Sequence, residues 1–297
     1  MNRRHFSKLL VAGASAAAAP SAFSKDMNTT PFKSLFAPHP GLLPTAPRGY
    51  VKGMEFAYEL GFRAWEDNGL IKRSAKLQEE VATFAKEKGI TLGVTVISGG
   101  NGVHFATANE EEQESILNDM RLGVETAKRT GQTHMTMVPG IRKGDEDLDK
   151  QIAASADLMK RCCDIVEEHG IIMVLEPLSH GIKGGAPILR SFEDGFKLCE
   201  AVNRKSCKLL ADFYHEGQIG NDLIPNAEKT WSQAAYVQYG DVPGRKEPGS
   251  GKLDYVAVTK WLRDKGYQGV IGMEHGVSAK GKEGLEKLMA AYRKIDA

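Results

Sequence analysis

The chain has 297 residues, 41% hydrophobic and 26% charged, with 39 Lys and Arg against 38 Asp and Glu for a formal net charge of +1. This balance excludes a disordered chain and a coiled coil, and supplies apolar material for a large core. The four cysteines, Cys162, Cys163, Cys199 and Cys207, have no C-x-x-C spacing, which argues against a structural zinc site.

Residues 1–24 stand apart. Arg3 and Arg4 precede a short apolar stretch, Leu9 to Ala19, and Ala22-Phe23-Ser24 offers small residues at a cleavage position. That is the pattern of an export signal. With Phe6 and Lys8 behind the arginine pair it resembles the twin-arginine class, although Ser7 stands where leucine is usual. The resemblance implies delivery to the periplasm by the twin-arginine translocation machinery. The apolar stretch is well below the roughly 20 residues that span a bilayer, so no membrane insertion is expected. Removing residues 1–24 leaves 36 basic and 38 acidic residues, a net charge of −2, which does not favour a nucleic-acid partner. After export Cys199 and Cys207 either pair or remain two buried thiols, and Cys162 and Cys163 read as core.

From residue 25 to 297 one unit recurs, consistent with a single domain. The runs KSLFA, GFRAW, ITLGVTVI, THMTMV, GIIMVLE, CKLLADF, AAYVQYG and GVIGME read as strands. Amphipathic stretches such as AKLQEEVATFAKEKG and DKQIAASADLMKRCCDIVEEHG lie between them, several ending in the glycine that stops a helix. Eight strand and helix repeats predict an α/β fold, a (β/α)8 TIM barrel. A doubly wound sheet is the alternative, but no G-x-G-x-x-G opens a helix.

Barrel sites form where strands end. Glu176 ends the fifth predicted strand, Asp212 the sixth, Gln238 the seventh and Glu274 the eighth, at separations of 36, 26 and 36 residues. Four oxygen-bearing side chains from successive units therefore face one mouth. Three carboxylates gathered there raise one another's pKa unless a cation offsets them. An all-oxygen set suits a hard divalent ion, Mg²⁺ or Mn²⁺.

The segments VLEPLSH, ADFYHEGQIGNDL, VQYGDVPGRKEPGSGKLDY and GYQGVIGMEHG resemble the hydroxypyruvate isomerase family, within the sugar isomerase/epimerase, xylose isomerase-like barrels. The resemblance implies a metal held by Glu176, Asp212, Gln238 and Glu274, with Glu176 and Glu274 also exchanging protons. Related ketose 3-epimerases carry histidine at the third position, so Gln238 tips the match toward the hydroxypyruvate isomerase branch. Lys252 stands where the family usually has glutamate, and the first loop, APHPGLLPTAPRG, is unusual.

The chemistry expected is proton transfer between neighbouring carbons of a hydroxy-keto acid or sugar through an enediolate. Three further residues are expected at the substrate. His215, in DFYH, would polarise a substrate oxygen. Arg245 would pair with a substrate carboxylate or, alternatively, with Glu247. Glu66, ending the second predicted strand, reaches the mouth or stabilises the barrel. His275 should point away from the side Glu274 occupies. The rival readings are a periplasmic keto-sugar epimerase, lyase or hydratase, a non-catalytic carbohydrate-binding barrel, and an endonuclease IV-like nuclease. The last would need more strand-end histidines. A homo-oligomer is left open.

Overall fold

A computed structural model describes residues 28–144 and 146–297. The expected export signal lies outside the described residues. All eight predicted strands are present, each followed by helix, and all neighbours run parallel. In chain order they are β1 (Leu35–Ala37), α1 (Tyr50–Glu59), β2 (Ala64–Trp65), α2 (Ala75–Lys88), β3 (Thr91–Leu92), β4 (Val96–Ser98), α3 (Glu110–Thr130), β5 (His134–Met137) and α4 (Leu148–Val166). Then follow β6 (Ile172–Leu175), α5 (Phe192–Val202), β7 (Cys207–Asp212), α6 (Phe213–Gln218), α7 (Leu223–Thr230), β8 (Ala234–Tyr239), α8 (Tyr255–Asp264), β9 (Val270–Met273) and α9 (Gly281–Ile295).

The third predicted strand is broken into β3, which pairs with β2, and β4, which pairs with β5. The break falls at Gly93, where an added Cβ would lie 2.3 Å from the Tyr236 hydroxyl oxygen. A side chain from across the barrel thus takes the space a continuous strand would need. The remaining strands run β1-β9-β8-β7-β6-β5-β4, and β1 meets β2 through Glu66 N–H donating to Pro38 O at 3.1 Å, which completes the ring.

Helix ends follow the local chemistry. Asn109 and Glu112 form a capping box at the start of α3, and Gly131, at φ 73°, ends it. The α9 end is tied to β1: Asp296 accepts from Lys33 N at 2.7 Å and Ser34 N at 3.0 Å.

Strand periodicity builds two apolar layers. One face fills the space under the helices, and there all four cysteines are buried free thiols. The other lines the barrel with Ala37, Ala64, Val94, Val174, Leu210, Tyr236 and Val270. Two residues on from four of these, on the same face, come Glu66, Glu176, Asp212 and Gln238. A carboxylate or amide closes each greasy run because the strand's inward face continues past its apolar layer to the rim. No helix among the described residues is long and apolar enough to cross a membrane.

Candidate metal and catalytic site at the barrel mouth

Asp212 is the hub. It closes β7 and opens α6, its Oδ1 accepting from Tyr214 N at 2.8 Å. Its Oδ2 lies 3.5 Å from His215 Nε2 and 3.3 Å from Arg245 Nη2. The same His215 nitrogen is 3.6 Å from Glu176 Oε1, and the same arginine nitrogen is 2.8 Å from Glu274 Oε2. Glu176, Asp212 and His215 each offer a ligand atom within 4.8 Å of the others. Gln238 lies beside Asp212 in the β7–β8 register. The structure therefore brings together Glu176, Asp212, Gln238, Glu274, His215 and Arg245.

Burial sets the electrostatics. Glu176 is held well above the usual carboxylate range by desolvation, then by the charges of Glu274 and Asp212. Desolvation also raises Asp212 and Glu274, with Arg245 opposing it in both. Glu274 is the most open of these carboxylates, its side chain 24% exposed. Glu66 is raised to about 8 by desolvation and then by Glu274. Burial and the charge of Arg245 push His215 down to about 3, so it is neutral.

The tautomer of His215 follows from its neighbours. Ser179 N–H donates to Nδ1 at 3.1 Å, so in the neutral ring Nε2 carries the proton. That N–H has no acceptor within hydrogen-bond distance and faces Glu176 and Asp212. His215 is thus built to donate, not to ligate. Gln238 is the reverse case: Nε2 donates to Glu66 Oε1 at 2.9 Å, while the fully buried Oε1 has no donor. An orphaned amide oxygen beside three carboxylates is a donor set that suits a hard divalent cation, and Glu176, Asp212, Gln238 and Glu274 could hold one.

Arg245 does not pair with Glu247, which instead accepts from Ser278 N at 2.9 Å and from the Ser278 hydroxyl. Arg245 donates to the Glu274 carbonyl through Nε at 3.0 Å and stacks its guanidinium 4.5 Å from the Tyr214 ring centroid. Both oxygens of Glu66 are engaged inside the barrel, by Tyr236 and Gln238. His275 points away, onto Tyr292 Oη at 2.7 Å. Lys252 is exposed, outside the acidic cluster.

Sequence reasoning missed three supports. Asn68 donates to Glu274 Oε1 at 2.8 Å, and Ser179 fixes His215. Asp241 gathers the loop bearing Arg245 by accepting from Val242, Gly249, Gly251 and Leu253 N–H groups at 2.8–3.0 Å. A signal for Asp241 was available: a strand-end aspartate followed by a proline- and glycine-rich run.

Residues 54–295 match the family described as xylose isomerase-like TIM barrel. The chain belongs to that family. Among curated relatives, the hydroxypyruvate isomerase of Escherichia coli is 23% identical over 200 residues, 66% of this chain and 74% of the relative. The 2-oxo-tetronate isomerase of Pectobacterium atrosepticum is 23% identical over 208 residues, 69% and 79%. Among solved structures, an AP endonuclease, family 2, from Brucella melitensis superposes with TM-score 0.73 at 22% identity, covering 86% of this chain and 98% of that one. The 3-keto-D-glucoside 4-epimerase of E. coli gives 0.70 at 20% identity, covering 89% and 99%. An IOLI protein with a bound zinc atom gives 0.67 at 18% identity, covering 88% and 96%. These likenesses establish the barrel. The chemistry rests on the residues at its mouth.

Proposed function

We propose that this member of the xylose isomerase-like family is a divalent metal-dependent isomerase of a small hydroxy-keto acid or sugar, acting through an enediolate. It is an enzyme of the isomerase class, and the relatives named for hydroxypyruvate and 2-oxo-tetronate support that substrate chemistry. The observation that carries the reading is the convergence of two raised-pKa glutamates, Glu176 and Glu274, with Asp212 and an orphaned Gln238 Oε1.

A divalent ion, Mg²⁺ or Mn²⁺ in the first instance, would be held by Glu176, Asp212, Gln238 and Glu274 and would supply Lewis-acid stabilisation of negative charge developing on substrate oxygens. The chain does the rest. One glutamate takes a proton from the carbon bearing the hydroxyl, and the other returns one to the neighbouring carbonyl carbon. A proton moves between the two oxygens, so the conversion of hydroxypyruvate to 2-hydroxy-3-oxopropanoate balances without an oxidant. His215 Nε2–H donates to a substrate oxygen, and Arg245 is placed to meet a carboxylate.

A second reading, a keto-sugar epimerase or lyase, is favoured by a cavity of about 480 Å³ whose lining includes His39, Tyr50, Trp65 and Arg73. It flanks the mouth, since Asp67 accepts from Tyr50 and Arg73 while the next residue, Asn68, holds Glu274. A three-carbon acid does not need that space. Solvent deuterium incorporation decides between them. Purified protein with Mn²⁺ is incubated in D2O with hydroxypyruvate and, separately, with a keto-hexose panel. Label in hydroxypyruvate alone supports the first reading, and label in a sugar alone supports the second. Label in none refutes hydroxypyruvate and the keto-hexoses as substrates.

Export by the twin-arginine route to the periplasm is part of the proposal and rests on Arg3, Arg4, Phe6 and Lys8. Replacing both arginines by lysine should hold the folded precursor in the cytoplasm. Unchanged periplasmic yield would refute it.

A further inference from the structure

Within the barrel, next to the proposed metal ligands, a carboxylate is buried where an apolar side chain would be expected. Glu66 is 2% exposed and sits beside the layer of Ala64, Val94, Tyr236 and Val270. The barrel makes room for it with glycine. A Cβ on Gly272 would lie 2.3 Å from Glu66 Oε2 and 2.7 Å from Oε1, and one on Gly93 would lie 3.3 Å from Glu66 Cβ. Neither glycine has a positive φ, so the backbone does not require them. Space for the carboxylate requires Gly272, and space for the Tyr236 hydroxyl that anchors it, 2.3 Å from an added Cβ, requires Gly93.

Burying a carboxylate costs stability, and an apolar side chain of similar size would serve packing alone at least as well. What Glu66 does is satisfy two donors. Tyr236 Oη, itself accepting from Val94 N–H at 3.2 Å, donates to Oε2 at 2.6 Å, and Gln238 Nε2 donates to Oε1 at 2.9 Å. The first contact fixes the carboxylate. The second fixes the amide, because the NH2 end of Gln238 is committed to Glu66 and the oxygen end is left bare. Without an acceptor at that point the amide could turn its NH2 toward the other ligands, where a cation would be repelled.

We infer that Glu66 is a positioning residue for the metal site: anchored by Tyr236 and housed by Gly93 and Gly272, it locks the Gln238 amide with Oε1 presented as a ligand. This rests on the proposed metal set and reassigns Glu66 from the substrate to the support of a ligand. Outer partners of this kind typically change metal affinity by about 10–100-fold.

The test is Mn²⁺ binding by calorimetry on the chelator-treated full chain, in a double-mutant cycle with Gln238→Ala. Glu66→Leu should weaken Mn²⁺ binding at least about tenfold. Glu66→Gln, which keeps a carbonyl oxygen for Nε2, should restore most of the loss. In the Gln238→Ala background Glu66→Leu should add little, because the residue acts through the amide. Equal weakening by the Gln and Leu variants, or full additivity in the cycle, would assign the effect to the lost charge and overturn the inference. Wild-type affinity in Glu66→Leu would overturn it while leaving the metal reading intact, whereas a wild type that binds no Mn²⁺ removes both. Should the Leu variant not fold, a structure of the wild type with Mn²⁺ decides. Gln238 Oε1 on the ion with Nε2 on Glu66 supports the inference, and any other amide partner refutes it.

Discussion

Arg245 holds Glu274 at two points, Nε on its backbone carbonyl at 3.0 Å and Nη2 on its carboxylate at 2.8 Å. The residue adopts a left-handed backbone at φ 49°, so the fork is aimed by a strained turn in the loop after β8. A point charge on a flexible stem cannot reproduce that grip. Arg245→Lys should therefore raise KM for an acidic substrate by at least about tenfold. Steady-state kinetics with unchanged KM would show that the guanidinium does not meet the substrate.

The two glutamates are predicted to carry the proton transfers. Glu274→Gln and Glu176→Gln each keep an oxygen and the side-chain shape but lose basicity, so turnover should fall by at least about a hundredfold. Metal analysis of the same preparations should still detect bound ion. Near wild-type rates in both variants would refute the two-glutamate mechanism.

Gln238→Ala should behave differently. A neutral amide exchanges no proton, so its loss should weaken metal affinity and leave activity partly recoverable at excess Mn²⁺. Titrating activity against Mn²⁺ for this variant and the glutamate variants separates ligand from acid-base roles.

The metal-free protein should have a two-sided pH profile. The Glu66 carboxyl is pushed up from 4.5 to about 8 by burial, so its contribution to stability is fully present below pH 4.5 and lost as pH rises to 8. His275, pushed down from 6.5 to about 4 by burial, contributes above pH 6.5 and loses that contribution as pH falls to 4. Thermal midpoints of chelated Glu66→Gln should keep the acid-side loss and fall less steeply on the alkaline side, where the raised Glu176, Asp212 and Glu274 still contribute. An unchanged alkaline slope would remove Glu66 as its source.

Asp241→Ala should destabilise the fold. It strips the acceptor from four loop N–H groups, for a loss of about 3 kcal/mol or more. Calorimetry should show a thermal midpoint lower by roughly 6–12 °C. A smaller shift would mean that the loop finds other partners.

Much of the site was legible because its signal is local. Val174 and Glu176, Leu210 and Asp212, and Tyr236 and Gln238 are each two residues apart, so a strand's period alone puts each acidic or amide group on the face of the apolar residue before it. The supports were not legible for the opposite reason. Gly93 interrupts its strand on account of Tyr236, and Glu66 turns to Gln238, pairs more than 140 residues apart in sequence that meet only once the barrel has closed. Asn68 and Ser179 are ordinary loop residues by composition, and nothing in their neighbourhood announces Glu274 or His215.

The latch between Asp296 and the amides of Lys33 and Ser34 has a kinetic meaning. Its partners are 263 residues apart, and β1 forms its strand ladder with β9, near the other end of the chain. A ribosome emitting this chain releases β1 first and then holds its free edge unpaired through nearly the whole of synthesis. At roughly 5–20 residues per second, that exposure lasts on the order of ten seconds to a minute. The nascent barrel is an open sheet with an adhesive margin, and its hazard is another copy's β9 arriving before its own.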